Sequence, residues 1–84
     1  MSSLRVRVRL FATLREAFER PSLELELPAG SVVEDAWQAL LRERPALAPH
    51  RGRLAVAVNR AYAAFDAPLA EGDEVAFIPP VAGG

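Results

Sequence analysis

Hydrophobic and polar residues alternate strictly from Leu4 to Leu10. Leu4, Val6, Val8 and Leu10 share one side, while Arg5, Arg7, Arg9 and Phe11 share the other. A period of two marks a strand with one buried face. The period then becomes helical. Leu14, Ala17 and Phe18 fall on one helical face, Thr13 and Glu16 have capping-box spacing, and Pro21 ends the segment after one or two turns. Alternation returns in SLELELP, residues 22–28, with Leu23, Leu25 and Leu27 inward and Glu24 and Glu26 outward. Pro28-Ala29-Gly30 reads as a turn, with proline pre-setting the first central angle.

A longer helix follows. Ser31 is placed as N-cap, with Glu34 completing a capping box. Glu34 and Asp35 suit the positive end of the helix dipole, and Arg42 and Arg44 the negative end. Val33, Ala36, Trp37, Leu40 and Leu41 form one apolar face, and Pro45 stops the helix. The proline- and arginine-rich RPALAPHRGR reads as a connection. LAVAVN is a strand in which Ala55 and Ala57 fit either face, and RAYAAFD is a weaker extended stretch. In LAEGDEVAFI, Gly72 supplies a turn, Val75 and Phe77 point in, and Ala76 and Ile78 point out. Five short strands against one main helix predict an α+β sheet covered on one face. The expected organisation is a single domain over residues 1–78 and a flexible tail over 79–84.

Composition narrows the function. The apolar fraction is 51%, enough for one globular core. No long apolar run suggests a membrane span, and the arginine-interrupted N-terminus is unlike a signal peptide, so a cytoplasmic location is expected. A net charge of −1 gives no support for nucleic-acid binding. The Arg5, Arg7, Arg9 stripe lacks interleaved stacking aromatics and is balanced by glutamates, so it reads as a solvated face or part of a docking surface. Cysteine is absent, which removes thiolate and sulfur-ligand chemistry, and His50 lies alone in the connection with no expected role. All basic residues are arginine. Genomic composition explains this, yet an activated carboxyl group would then meet no lysine on its own chain.

The remaining candidate chemistry is at FIPPVAGG. Pro79 and Pro80 cannot donate to a sheet, so they end the last strand and stiffen the exit of the chain. Residues Pro79, Pro80, Val81, Ala82, Gly83 and Gly84 reach about 20 Å when extended. Glycines lack Cβ atoms, so a partner's channel could close tightly around Gly83 and Gly84. A terminal carboxylate on Gly84 is inert until activated. As an acyl-adenylate it becomes an electrophile, and a sulfur donor can convert it to a thiocarboxylate. No side chain of the carrier is needed, so the acid–base groups would lie on partners.

FATLRE, SVVEDAWQAL, AVN and PLAEGDEVAFIPPVAGG together resemble the small subunits of molybdopterin synthase, sulfur carriers of the ubiquitin-like β-grasp class. The resemblance covers essentially the whole chain and is sharpest in GDEVAFIPPVAGG. It implies a mixed five-stranded sheet in which the first and last strands are central neighbours. It also implies a non-catalytic subunit that binds no cofactor, with ATP consumed by an activating enzyme that adenylates Gly84. A sulfurtransferase system would then form the thiocarboxylate. The large subunit would hold the catalytic residues, receive the tail within a heterotetramer of two small and two large subunits, and pass sulfur to a cyclic pterin precursor. Two carrier turnovers would serve each dithiolene. Phe11, Tyr62 and Ile78 are the expected docking residues, although Phe11 could instead fold beneath the short helix as core. A carrier for thiamin synthesis or tRNA thiolation, and a modifier joined to lysines of other proteins, remain open alternatives.

Overall fold

The computed structural model describes residues 2–80. The elements are β1 (Ser3–Leu10), α1 (Ala12–Phe18), β2 (Ser22–Pro28), α2 (Val33–Glu43), a 3-10 stretch (Pro45–Arg53), β3 (Ala55–Val58), β4 (Ala61–Ala63) and β5 (Glu74–Ile78). They form a five-stranded sheet in the order β2-β1-β5-β3-β4. β1 and β5 pair in parallel, and the other neighbours are antiparallel. The first and last strands are therefore central neighbours, as expected.

Strand parity decides what enters the core. Leu4, Val6, Val8 and Leu10 of β1 are buried, and so are Val75 and Phe77 of β5. They pack with Leu14 and Phe18 of α1 and with Val33, Ala36, Trp37 and Leu40 of α2. Phe77 lies between two aromatic rings, with Trp37 at 5.3 Å and Phe65 at 6.1 Å between centroids. Leu25 and Leu27 of β2 face the same core, while Glu24 and Glu26 are exposed.

Both helix starts differ from the sequence pattern. The capping box expected at Thr13 and Glu16 is absent, because α1 begins at Ala12 with Phe11 as its N-cap. The carbonyl of Phe11 accepts the amides of Leu14 at 3.0 Å and Arg15 at 3.4 Å, and Ala12 takes φ 51° to make the sharp turn out of β1. At α2 the N-cap is Val32, not Ser31. The Asp35 carboxylate accepts the Val32 N–H at 2.8 Å, and Ser31 Oγ turns away to donate to the Pro28 carbonyl at 2.7 Å. The cause is tertiary. The amides of Val33 and Glu34 donate to the carbonyls of Ala67 and Phe65 at 3.0 and 2.8 Å, so two donors that usually need a cap are satisfied by a distant loop. Pro28 is also the last residue of β2 and not a central turn residue; Gly30, at φ 87°, takes the left-handed position.

The connection after α2 is a 3-10 stretch fastened by Arg51. Its guanidinium donates twice to Glu34 Oε1, at 3.0 and 2.6 Å, and lies 3.3 Å from the Phe65 ring centre. Those hydrogen bonds hold the Glu34 carboxyl below the usual carboxylate range, against the opposing effect of burial. A carboxyl depressed in the folded state adds stability above its unfolded pKa, about 4.3. That stability is lost as pH falls through the folded value. The melting temperature should therefore fall more steeply below about pH 4.5 in the wild type than in Arg51→Met, which keeps the packing on Phe65. Parallel thermal melts of the two proteins from pH 7 to pH 3 check this, and equal slopes would contradict it.

Packing continues past the last strand. Pro79 is buried and Pro80 is exposed. The packed unit thus extends one residue beyond the boundary expected at Ile78, and Pro79 is not part of an unpacked tail. Among the described residues, no helix is long and apolar enough to cross a membrane.

Candidate functional site

The uncovered face of the sheet carries the candidate site. Ala76 of β5 lies in register with Arg9 on one side and Ala57 on the other, and Ala57 pairs with Tyr62. The row across the sheet therefore reads Arg9, Ala76, Ala57, Tyr62. Two opposed alanines between long side chains leave a trough. Its volume is about 280 Å³, and its lining adds Phe11, Arg60, Glu74 and Ile78.

The three docking residues named from sequence meet here. Phe11 is half-buried and stands outside the core cluster, so it does not fold beneath α1. The Arg9 guanidinium lies over its ring at 5.3 Å. Ile78 is half-buried at the end of β5, as its parity requires. Tyr62 is 86% exposed, and among the described residues it is the one large hydrophobic side chain in that state. Val81, Ala82, Gly83 and Gly84 lie outside the described residues.

Arg60, Glu74 and the alanine pair were not singled out by sequence pattern as a group. The register supplies the signal that was missing. β3 and β4 are joined through Asn59 and Arg60, which take φ 50° and 71°, so the two central residues of the turn are both left-handed. Asn59 also fastens the hairpin to β5. Its side-chain amide donates to Asp73 at 2.9 Å, its Oδ1 accepts the Glu74 N–H at 2.9 Å, and its own N–H donates to the Glu74 carbonyl at 2.8 Å. This clamp ties the turn that carries Arg60 to the start of β5. The Arg60 side chain is 83% exposed, and its Nε is 3.9 Å from Glu74.

The arginine stripe is unequal along its length. Arg5 lies opposite Glu26, and Arg7 opposite both Glu24 and Glu74. Arg9 lies opposite Ser22 and Ala76, neither of which is charged. The stripe is a balanced solvated face over its first two members and part of the trough at its third.

A parallel central strand pair, flanking antiparallel strands and one helix across a single face define a ubiquitin-like β-grasp protein. The chain belongs to the ThiS family, which it matches over residues 8–84. It is 42% identical over 82 residues to a molybdopterin synthase sulfur carrier subunit of Mycobacterium tuberculosis, spanning 96% of this chain and 99% of that one. This agrees with the resemblance carried by the sequence motifs. Among solved structures, the small archaeal modifier protein 1 of Methanosarcina acetivorans superposes with a TM-score of 0.81 at 27% identity, covering all of both chains. A chain in the complex of subunits 1 and 2 of the Helicobacter pylori molybdopterin-converting factor gives a TM-score of 0.64 at 26% identity, covering 96% of this chain and 100% of that one.

Proposed function

We propose that the chain is a sulfur carrier and the small subunit of molybdopterin synthase. The carboxylate of Gly84 attacks the α-phosphate of ATP on an activating enzyme, releasing pyrophosphate and leaving an acyl-adenylate. The terminal sulfur of a sulfurtransferase persulfide displaces AMP to give an acyl disulfide, and a thiol reductant cleaves its S–S bond to leave the thiocarboxylate. The large subunit receives Pro80 to Gly84, and its catalytic groups direct the sulfur onto a cyclic pterin precursor. Hydrolysis returns the carboxylate for another round. The observation that carries this reading is the family match running through Gly84, joined to full-length similarity with a sulfur carrier subunit. The complex of subunits 1 and 2 from Helicobacter pylori supports the partner. Phe11, Tyr62 and Ile78 form the apolar part of the docking face, next to the root of the tail.

The direct test is intact mass spectrometry of protein purified from its native cells. A species in which one oxygen is exchanged for sulfur is expected at the C-terminal residue. The likeness to an archaeal modifier protein favours a second reading, in which the same activated carboxyl is joined to lysines of other proteins. Conjugates of higher mass with no thiocarboxylate would select that reading instead.

The docking face makes its own prediction. Ile78→Asp places a carboxylate beside the tail root and should weaken binding to the large subunit by roughly a hundredfold, the equivalent of about 2.7 kcal/mol. The fold should survive, since Ile78 is half-buried on the open face. Calorimetric titration beside a thermal melt reads both quantities. Wild-type affinity would remove Ile78 from the interface.

A further inference from the structure

Two guanidinium groups border the trough from opposite sides, and among the described residues only one of them, Arg60, has a carboxylate within 4 Å. Arg9 has uncharged neighbours in register on both β2 and β5. Arg60 has Glu74 at 3.9 Å, while its side chain stays 83% exposed. The trough thus holds Arg9, Arg60 and Glu74, a net excess of one positive charge.

Arg60 is also held in a conformation that favours glycine. At φ 71° it is the second central residue of the two-residue β3–β4 turn. A side chain with little contact to its own domain thus occupies a strained position. Strain retained at an exposed position points to a role outside the domain. Arg9 is prepared differently. Its stacking over Phe11 at 5.3 Å restrains the guanidinium before any partner arrives, which lowers the ordering cost of binding. Between the two, Ala57 and Ala76 leave room for a large apolar side chain, bordered by Phe11, Tyr62 and Ile78.

We propose that Arg9 and Arg60 together recognise a carboxylate on the protein that covers this face, an Asp or Glu placed beside a large apolar side chain that fills the trough. This rests on the reading of the chain as the small subunit of molybdopterin synthase, because Ile78 joins the trough to the tail and commits the occupant to the large subunit. Charge complementarity at the rim of an apolar contact acts mainly on encounter and orientation, and it is screened by salt. The arginines therefore set the rate of docking and which partner docks, while the apolar floor supplies most of the adhesion.

The test is association kinetics of the isolated large subunit with wild type, Arg9→Glu, Arg60→Glu and Arg60→Gly, each over a range of salt concentrations. The two charge reversals should slow association at least tenfold at low salt and flatten the salt dependence, with smaller changes in dissociation. Arg60→Gly should raise the melting temperature by relieving the turn and yet slow association. That combination separates a binding role from a structural one. Exchange of an acidic residue of the large subunit for arginine should restore association with Arg9→Glu. Wild-type binding with equal association rates and salt slopes in all variants would overturn this proposal alone. Failure of the wild type to bind the large subunit would overturn it together with the assignment of the partner.

Discussion

Protein lacking Gly84, or carrying one residue beyond it, is expected to melt at the wild-type temperature and to yield no thiocarboxylate and no sulfurated product. The last buried residue of the described chain is Pro79, so a change at Gly84 leaves every described core contact in place. The proposed chemistry, by contrast, depends on where one carboxyl carbon sits. Removing or adding a residue displaces it by about 3.5 Å along an extended backbone. A misplacement of about 1 Å can already cost on the order of a hundredfold in rate. Thermal melts, mass spectrometry after reaction with activating enzyme and sulfur donor, and product assay with the large subunit together read the outcome. Appreciable product from the extended protein would show that the position of the carboxylate does not govern transfer.

Phe77→Asp should abolish folding, while Ile78→Asp should not. Phe77 is fully buried between Trp37 and Phe65 on the central strand. Truncating such a ring costs about 3–5 kcal/mol. A carboxylate in its place adds several kcal/mol of desolvation. The sum approaches or exceeds the whole stability of a small domain, about 5–15 kcal/mol. One residue further along, the side chain faces the trough. Circular dichroism of the two variants decides the matter. A folded Phe77→Asp beside an unfolded Ile78→Asp would mean the strand register is displaced by one.

Strands were easier to read from sequence than helix ends, and the reason is physical. In β1, β2 and β5 a side chain's face follows from parity alone, so Val8, Leu27 and Phe77 are assigned by their neighbours in sequence. Sequence pattern misplaces the caps at Thr13 and Ser31 because a helix amide donates to whatever acceptor the fold brings within reach. Val33 and Glu34 find theirs at Ala67 and Phe65, more than thirty residues away. The 3-10 stretch is not legible in sequence for a similar reason: its anchor is the contact of Arg51 with Glu34 and Phe65, which no local pattern encodes. Pro79 reads as a strand terminator, which says nothing about whether its ring is covered.

The site divides in the same way. Ile78 and Phe11 were placed on the open face by alternation. Tyr62 was identified only as an exposed aromatic on a weak strand. Ala57 fits either face by size, and the trough exists because it meets Ala76, a fact of register between β3 and β5. Arg9 could be set apart from Arg5 and Arg7 only after β2 and β5 were aligned beside β1. Asn59 and Arg60 form a two-residue turn, but without glycine the hairpin signal was weak.

The placement of β5 at the centre of the sheet bears on how the protein is made. Synthesis runs from the N-terminus, so β5, which joins β1 to β3, is the last strand of the sheet to leave the ribosome. Until residues 74–78 emerge, β1 has a partner on one edge only, and the hairpin of β3 and β4 has nothing to join. A polypeptide released early lacks the keystone of its sheet and is exposed to proteolysis as an unfolded chain. Cellular quality control would thus remove most copies that end before the prolines. Folding would then act as an inspection step, enriching the surviving population in chains that reach beyond β5.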